Sequence, residues 1–369
     1  MSTLAEISLP KSRRTSISRI LLWFLLAVLT ALAAAAGYAY YVAHSALPQL
    51  DGHLRASGLE APVTVTRDSH GVPTIGAATL GDLFFAQGYV TAQDRLWQMD
   101  IMRRFGSGEL SEILGDALLK VDREQRILGL RAAARKSLQT ASPRDRGFFE
   151  AYARGVNAYI ATRAGKLPIE FRILGYTPKP WLEEDSLVIA NEMVKDLNYH
   201  YFFEALAREK ILAKLGPELT SDLYVNRSWH DRPPTVMRED LNQPDNSAGD
   251  SEDEDDEDDS PDNSVTRHAP VVSPHSLPVE GLPVNGSNDW VVSGAHTVTG
   301  KPLLSNDMHL GHQMPNLWYE AHLHSGSLDV AGVTLPGMPY VIVGHNQRIA
   351  WGFTNVGPTV TDVYIENFN

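Results

Sequence analysis

The chain moves through several rhythms of apolar and polar positions, and each change of rhythm marks a change of structure. The simplest comes first: the 23 residues from Ile20 to Val42 include no charged side chain. At about 1.5 Å per helical residue such a run crosses a hydrocarbon core, for which roughly 20 residues suffice. Lys11, Arg13, Arg14 and Arg19 precede it, which predicts a cytoplasmic N-terminus and an exported, periplasmic remainder. Two readings stay open. One is an uncleaved transmembrane anchor with Tyr38, Tyr40 and Tyr41 in the interfacial belt; the other is a signal peptide cleaved near the small residues Ala31–Ala36.

Residues 43–60 read as a tether, and from Ala61 to about residue 242 the apolar spacing is mostly helical. Pro62–Thr66 alternates as a strand does, and His70-Gly71-Val72-Pro73 is a turn. Leu80–Phe105 predicts a long helix in which Phe85, Tyr89, Leu96 and Met99 face a core, while Asp100 and Arg104 pair on the other face. Helical patterns also cover Gln125–Gln139, Arg144–Arg163 and Glu184 to about Leu215, after which Gly216-Pro217 breaks the chain.

Residues 243–284 are rich in Asp, Ser, Asn and Pro, too polar to offset the entropy of ordering, and predict a disordered insert. After Gly286 short strands take over: Trp290–Ser293, Leu303–Leu304, Leu317–His324, Leu328–Val333, Tyr340–Gly344 and Ile349–Gly352. Helices followed by strands imply an α+β fold, not alternating βαβ units. The pattern is still running at Asn369, as expected of an N-terminal fragment.

Charge changes this picture less than its total suggests. The formal net charge is −13, but ten acidic residues lie between Asp250 and Asp262, leaving about −3 elsewhere. Nucleic acid is therefore not an expected partner. There is no cysteine, which excludes disulfides, thiolate metal sites and a cysteine nucleophile.

The remaining chemistry converges on Asn285-Gly286-Ser287-Asn288-Asp289-Trp290, between the insert and the first strand. A serine hydroxyl here could attack the unhindered Gly286 carbonyl and turn the amide into an ester, whose hydrolysis leaves Ser287 as a new N-terminus. Such a residue carries both nucleophile and base, because an α-amine has a reference pKa of about 7.7–8.0. The alternative reading is an ordinary Asn-Gly-Ser turn leading into a strand.

Eight segments in order bear on that choice: Arg67–Pro73, Ala86–Asp100, Ala153–Tyr159, Leu174-Gly175-Tyr176 through Pro180-Trp181, Gly286–Val292, Asn306–Leu310, Gly344-His345-Asn346 and Trp351–Thr354. Together they resemble the penicillin acylase family of N-terminal nucleophile hydrolases, from about Ala61 to the end. The resemblance implies a four-layer αββα sandwich and an amide hydrolase that cleaves itself into an α/β heterodimer. On that division residues 1–19 are a basic tail, 20–42 the membrane segment, 43–60 the tether, 61–242 the α-chain region, 243–286 the acidic spacer and 287–369 the start of the β chain.

It also implies roles. Cleavage falls at Gly286-Ser287; Ser287 is the nucleophile, His309 lies near its amine and hydroxyl, and the Asn355 backbone N–H faces the oxyanion. A structural calcium ion would be held by Glu204, Asp362 and the Thr361 carbonyl, although Thr359 stands where many relatives have a further Asp. Met193, Leu197, Phe202, Met314, Trp318 and Val333 are candidates for an acyl pocket, or simply for core. The family's substrates are penicillins, cephalosporins and N-acyl homoserine lactones. Two rivals are a zinc hydrolase built on His309, His312, His322 and His324, and a membrane-anchored binding module without catalysis.

Overall fold

The computed structural model describes residues 14–163, 165–198, 200–223, 286–311, 313–355 and 364. They belong to two compact units, one comprising Met1–Val194 with Asn285–Thr354, the other Lys195–Val284 with Asn355–Asn369. The acidic insert, Thr359, Thr361 and Asp362 lie outside the described residues.

In the first unit the apolar run forms α1 (Arg14–Ala46), a helix long and apolar enough to cross a membrane. The α-chain region opens with two short strands, β1 (Thr64–Arg67) and β2 (Pro73–Gly76), joined by the expected turn. Helix α2 (Leu80–Ser107) starts where the Thr79 side chain accepts the Asp82 N–H and stops at Gly108, whose φ of 65° lies in the left-handed region open to glycine. Phe85, Leu96 and Met99 are buried as their spacing predicts, each contributing about 1.5–3 kcal/mol by leaving water.

Asp100 corrects the expectation for the opposite face. It is fully buried, accepts from both Arg103 and Arg104, and accepts a hydrogen bond from the Tyr176 hydroxyl at 2.8 Å. A carboxylate enclosed by two guanidiniums and a phenol has enough donors to replace its hydration, which a pairing read along one helix does not reveal.

The run read as one helix over Gln125–Gln139 is two. After the short α3 (Ser111–Leu114), helix α4 (Leu119–Leu128) turns at Gly129, with φ 69°, into α5 (Leu130–Thr140). Helix α6 (Pro143–Thr162) then lies across α2, and the short α7 (Ile169–Ile173) follows. The two long helices meet backbone to backbone: a Cβ on Gly88 would sit 2.2 Å from the Tyr152 carbonyl oxygen, and one on Gly155 1.9 Å from that of Phe85. Helix α8 (Glu183–Asn198) begins in this unit. In the second unit α9 (His200–Leu223) is interrupted at Gly216, just before Pro217, as the sequence predicts.

After the insert come β3 (Gly286–Val292), β4 (Leu303–His309), β5 (Tyr319–Ser325), β6 (Leu328–Thr334), β7 (Val343–Asn346) and β8 (Ala350–Trp351). Strands β3 and β4 form their own two-stranded ladder; the others make a six-stranded sheet ordered β1-β2-β5-β6-β7-β8. All its pairings are antiparallel except β2 with β5, which run parallel and align Thr74 with His322 and Gly76 with His324. A strand from before the insert thus lies beside one from after it. On β5, Ala321 and Leu323 face inward against Ile75, Phe84 and Val90, while Glu320 and His324 are exposed. The result is a mixed α+β arrangement with helices packed on one face of the sheet.

The segments that carry the resemblance lock to one another. Arg67 donates both guanidinium arms to Asp94 of α2, at 2.8 and 3.1 Å, and Tyr319 of β5 donates to the same carboxylate at 2.6 Å. Asn157 brackets Trp181, its Nδ2 donating to the Trp181 carbonyl at 2.9 Å and its Oδ1 accepting from the Trp181 N–H at 2.7 Å.

Candidate active site

The proposed cleavage junction sits at the beginning of β3. In the ladder with β4, Gly286 is opposite His309, Ser287 opposite Met308 and Asp289 opposite Asn306. Side chains alternate along a strand and directly paired residues share a face. Ser287 and Asp289 therefore lie on the face of Asn306 and Met308, whereas His309 and Asp307 project from the other. The His309 Nε2 and Asp307 Oδ2 atoms are 3.0 Å apart, a contact that orients the imidazole. Cross-strand from Gly286, His309 sits beside the bond whose cleavage would free the Ser287 amine.

Asn306 joins this ladder to the chain leaving β8. Its Nδ2 donates to the Asn288 carbonyl at 3.2 Å and to the Phe353 carbonyl at 3.0 Å, and its Oδ1 accepts from the Phe353 N–H at 3.2 Å. Gly352 makes room for it: a Cβ there would come within 2.6 Å of the Asn306 Cβ. Sequence reasoning placed Asn306 at the head of the Asn306–Leu310 segment but gave it no role of its own.

The other candidates are dispersed. In the second unit the Asn355 side chain donates to the Leu197 carbonyl at 2.8 Å, which brings those two residues together. Met193 and Trp318 are half-buried and both pack against the cluster of Met99, Phe171, Trp181 and Ile189. Val333 is half-buried within β6, and Met314 is exposed. The side chains of Phe202 and Glu204 are outside the described residues, as is His312.

Among the described residues, His309, His322 and His324 do not assemble into a cluster. His322 Nε2 contacts Asp329 Oδ1 on β6, its Nδ1 lies 3.4 Å from the Thr74 hydroxyl, and His309 is on the other sheet. Hydrogen bonds from His322 and Gln347 hold the Asp329 carboxyl below its ordinary pKa. Among the described residues no three His, Asp or Glu side chains converge on a position that would hold a metal.

Elsewhere the perturbed groups are framework. Burial, then the nearby Asp94 carboxylate, pushes the Tyr319 hydroxyl upward, and burial pushes Tyr340 to about 12. Tyr340 has the one positive φ among the described non-glycine residues, 82°, and Gln87 holds it through both its N–H and its carbonyl at 3.1 Å.

With the sheet that unites both sides of the insert and the strand that opens with a Gly-Ser bond in place, comparison with known proteins gives the family. The family model described as penicillin amidase matches residues 62–369. An acyl-homoserine lactone acylase, QuiP of Pseudomonas aeruginosa, is 34% identical across 87% of this chain and 36% of its own length. Penicillin acylase 2 proenzyme of Pseudomonas sp. (strain SE83) is 31% identical across 88% of this chain and 40% of its own. Among solved structures, a thermostable penicillin G acylase from Alcaligenes faecalis is 32% identical, with a TM-score of 0.40 over 48% of this chain and 96% of that one. The chain belongs to the penicillin amidase family, and it spans less than half the length of the curated relatives it matches.

Proposed function

We propose that the whole protein is an exported amide hydrolase that activates itself by cleaving Gly286-Ser287 and then uses Ser287 to remove acyl groups from penicillin-, cephalosporin- or N-acyl homoserine lactone-type amides. The observation that carries this reading is the placement of the Gly286-Ser287 bond at the start of a strand, cross-strand from His309, in a chain of the penicillin amidase family.

In the first reaction the Ser287 hydroxyl adds to the Gly286 carbonyl, its proton passes to the departing Ser287 nitrogen, and an ester with a free α-amine is left; water then splits the ester into the Gly286 carboxylate and the Ser287 hydroxyl. In the second, that amine accepts the hydroxyl proton as Ser287 attacks a substrate acyl carbon. The leaving amine takes the proton, and water hydrolyses the acyl-enzyme. The Asn355 N–H would stabilise the oxyanion. The His309 imidazole, steadied by Asp307, would orient the new amine once the chain has been cut.

The reading includes an αββα sandwich, an α/β heterodimer and an α1 that anchors or exports the protein to the periplasmic side. The shared sheet supports the heterodimer, because β1, β2, α2 and α6 would remain packed against the β-chain strands after cleavage. Calcium fits the donor chemistry of Glu204, Asp362 and the Thr361 carbonyl, all hard oxygens, and its part would be structural.

N-terminal sequencing of the purified intact gene product tests the reading. Two chains are expected, the second beginning at Ser287, with Ser287→Ala remaining as one inactive chain. A single-chain protein that hydrolyses a chromogenic acyl amide would overturn it.

A further inference from the structure

Helix α1 ends against the folded body. Of its described residues Val42 is buried, and the Ser45 carbonyl in its last turn, together with the Leu47 carbonyl just past its end, is taken by a side chain of the body. Arg163 donates to the carbonyls of Ser45 and Leu47 at 2.8 and 2.7 Å, and Arg172 of α7 donates to the Ser45 hydroxyl at 3.2 Å. The point where the apolar helix stops is thereby fixed beside α7.

The outward side of α7 is apolar where solvent would favour polar groups. Phe171 points into the core, but Ile169 and Ile173, one turn apart, are exposed, Ile173 at 74%, and Leu174 beside them is exposed too. Leu47, Leu50 and Leu54 of the tether are likewise exposed. Lys166 precedes the helix and Arg172 lies in its last turn, with Glu170 as its acidic residue, so the margin is net basic.

We propose that α7 and the adjoining tether lie in the membrane interface, with Ile169, Ile173 and Leu174 among the lipid headgroups, so that the body is seated on the bilayer instead of hanging from it. This rests on reading α1 as a span. A helix leaving the hydrocarbon at Ser45 brings the groups bonded to Ser45 to the same depth, and the patch there combines exposed apolar residues with basic ones, the chemistry that suits an anionic interface. Tyr38, Tyr40 and Tyr41, exposed on the last turns of α1, mark that depth.

Residues 1–369 contain no cysteine, so a label introduced among them is unique within this span. Ile173→Cys in the intact protein would be labelled with an environment-sensitive nitrobenzoxadiazole dye and placed in nanodiscs of phosphatidylcholine and phosphatidylglycerol. Nitroxide lipids labelled near the headgroup should quench it about threefold more than a label at Ile127→Cys, an exposed apolar position on α4. Replacing both Arg163 and Arg172 by Ala should lower the quenching while the protein stays in the membrane. A water-exposed label at position 173 in a protein that resists alkaline carbonate extraction would overturn the seating alone. Release of the protein by carbonate would overturn the span, and the seating with it.

Discussion

Asn306 and the main chain of Phe353 hydrogen-bond in both directions, and the third bond of Asn306 reaches Asn288, the residue after the proposed nucleophile. One amide thus ties the strand carrying Ser287 to the chain leaving the six-stranded sheet. Asn306→Ala removes three bonds, each contributing about 0.5–1.5 kcal/mol, and should lower stability by about 1–2 kcal/mol after allowance for exposure. Asn306→Asp keeps the acceptor for the Phe353 N–H and should fall between. Urea midpoints in a Ser287→Ala background would measure stability, and on the proposed self-cleavage the rate at which two chains appear should follow the same order.

The α2–α6 crossing makes a sharper prediction. Gly155→Ala drives a methyl into the Phe85 carbonyl, so the helices must separate, at a cost of about 3 kcal/mol or more. Gly147, on the same helix, has open space around its Cβ direction, and Gly147→Ala should stabilise by about 0.5–1 kcal/mol. Thermal melts of the two variants should move in opposite directions.

Asp100→Asn leaves Arg103 and Arg104 facing a neutral group in a buried site. Loss of one partner from such a network costs about 3–5 kcal/mol. Glu112→Gln removes a more exposed partner of Arg104 and should cost under about 1 kcal/mol. Equal destabilisation in denaturant titrations would show that the buried carboxylate is not what holds the two arginines.

Glu184 predicts a pH dependence. Burial raises its carboxyl pKa, but hydrogen bonds from Arg135 and Arg131 outweigh that and hold it below the ordinary 4.5. A carboxyl depressed by folding adds stability above its unfolded pKa and loses it as pH falls through the folded value. Glu184→Gln should therefore cost about 0.5–1 kcal/mol at neutral pH, and the difference from wild type should fade well below pH 4. Urea midpoints at both pH values would check it.

Local rhythm made α2, α6 and the break at Gly216 legible, because each depends on residues within one or two turns. Strand β4 was glimpsed only as Leu303–Leu304; the pairing that extends it to His309 comes from β3. The parallel match of β2 with β5 joins segments on either side of the insert, and no local pattern encodes it. The buried state of Asp100 needs Tyr176 and a second arginine, supplied from elsewhere in the chain or missed on the same helix. At the site, residue types suggested that Ser287 and His309 act together, but the face each side chain takes follows from a register set by pairing. Most of the shared segments proved to be contacts that hold the framework, as Asn157 does with Trp181, so they report ancestry and fold more than chemistry.

The placement of β2 beside β5 has a consequence for how such a protein ages. While the chain is continuous, its two halves find each other at the high effective concentration of a tether. If the bond at Gly286 is cut after the sheet has closed, nothing in the folded state is lost, yet the way back is. Heated or denatured, the two pieces must meet as separate solutes at whatever dilution the compartment imposes. The precursor should refold and its product should not, so the working enzyme would persist by the slowness of its opening, and a single unfolding would be final.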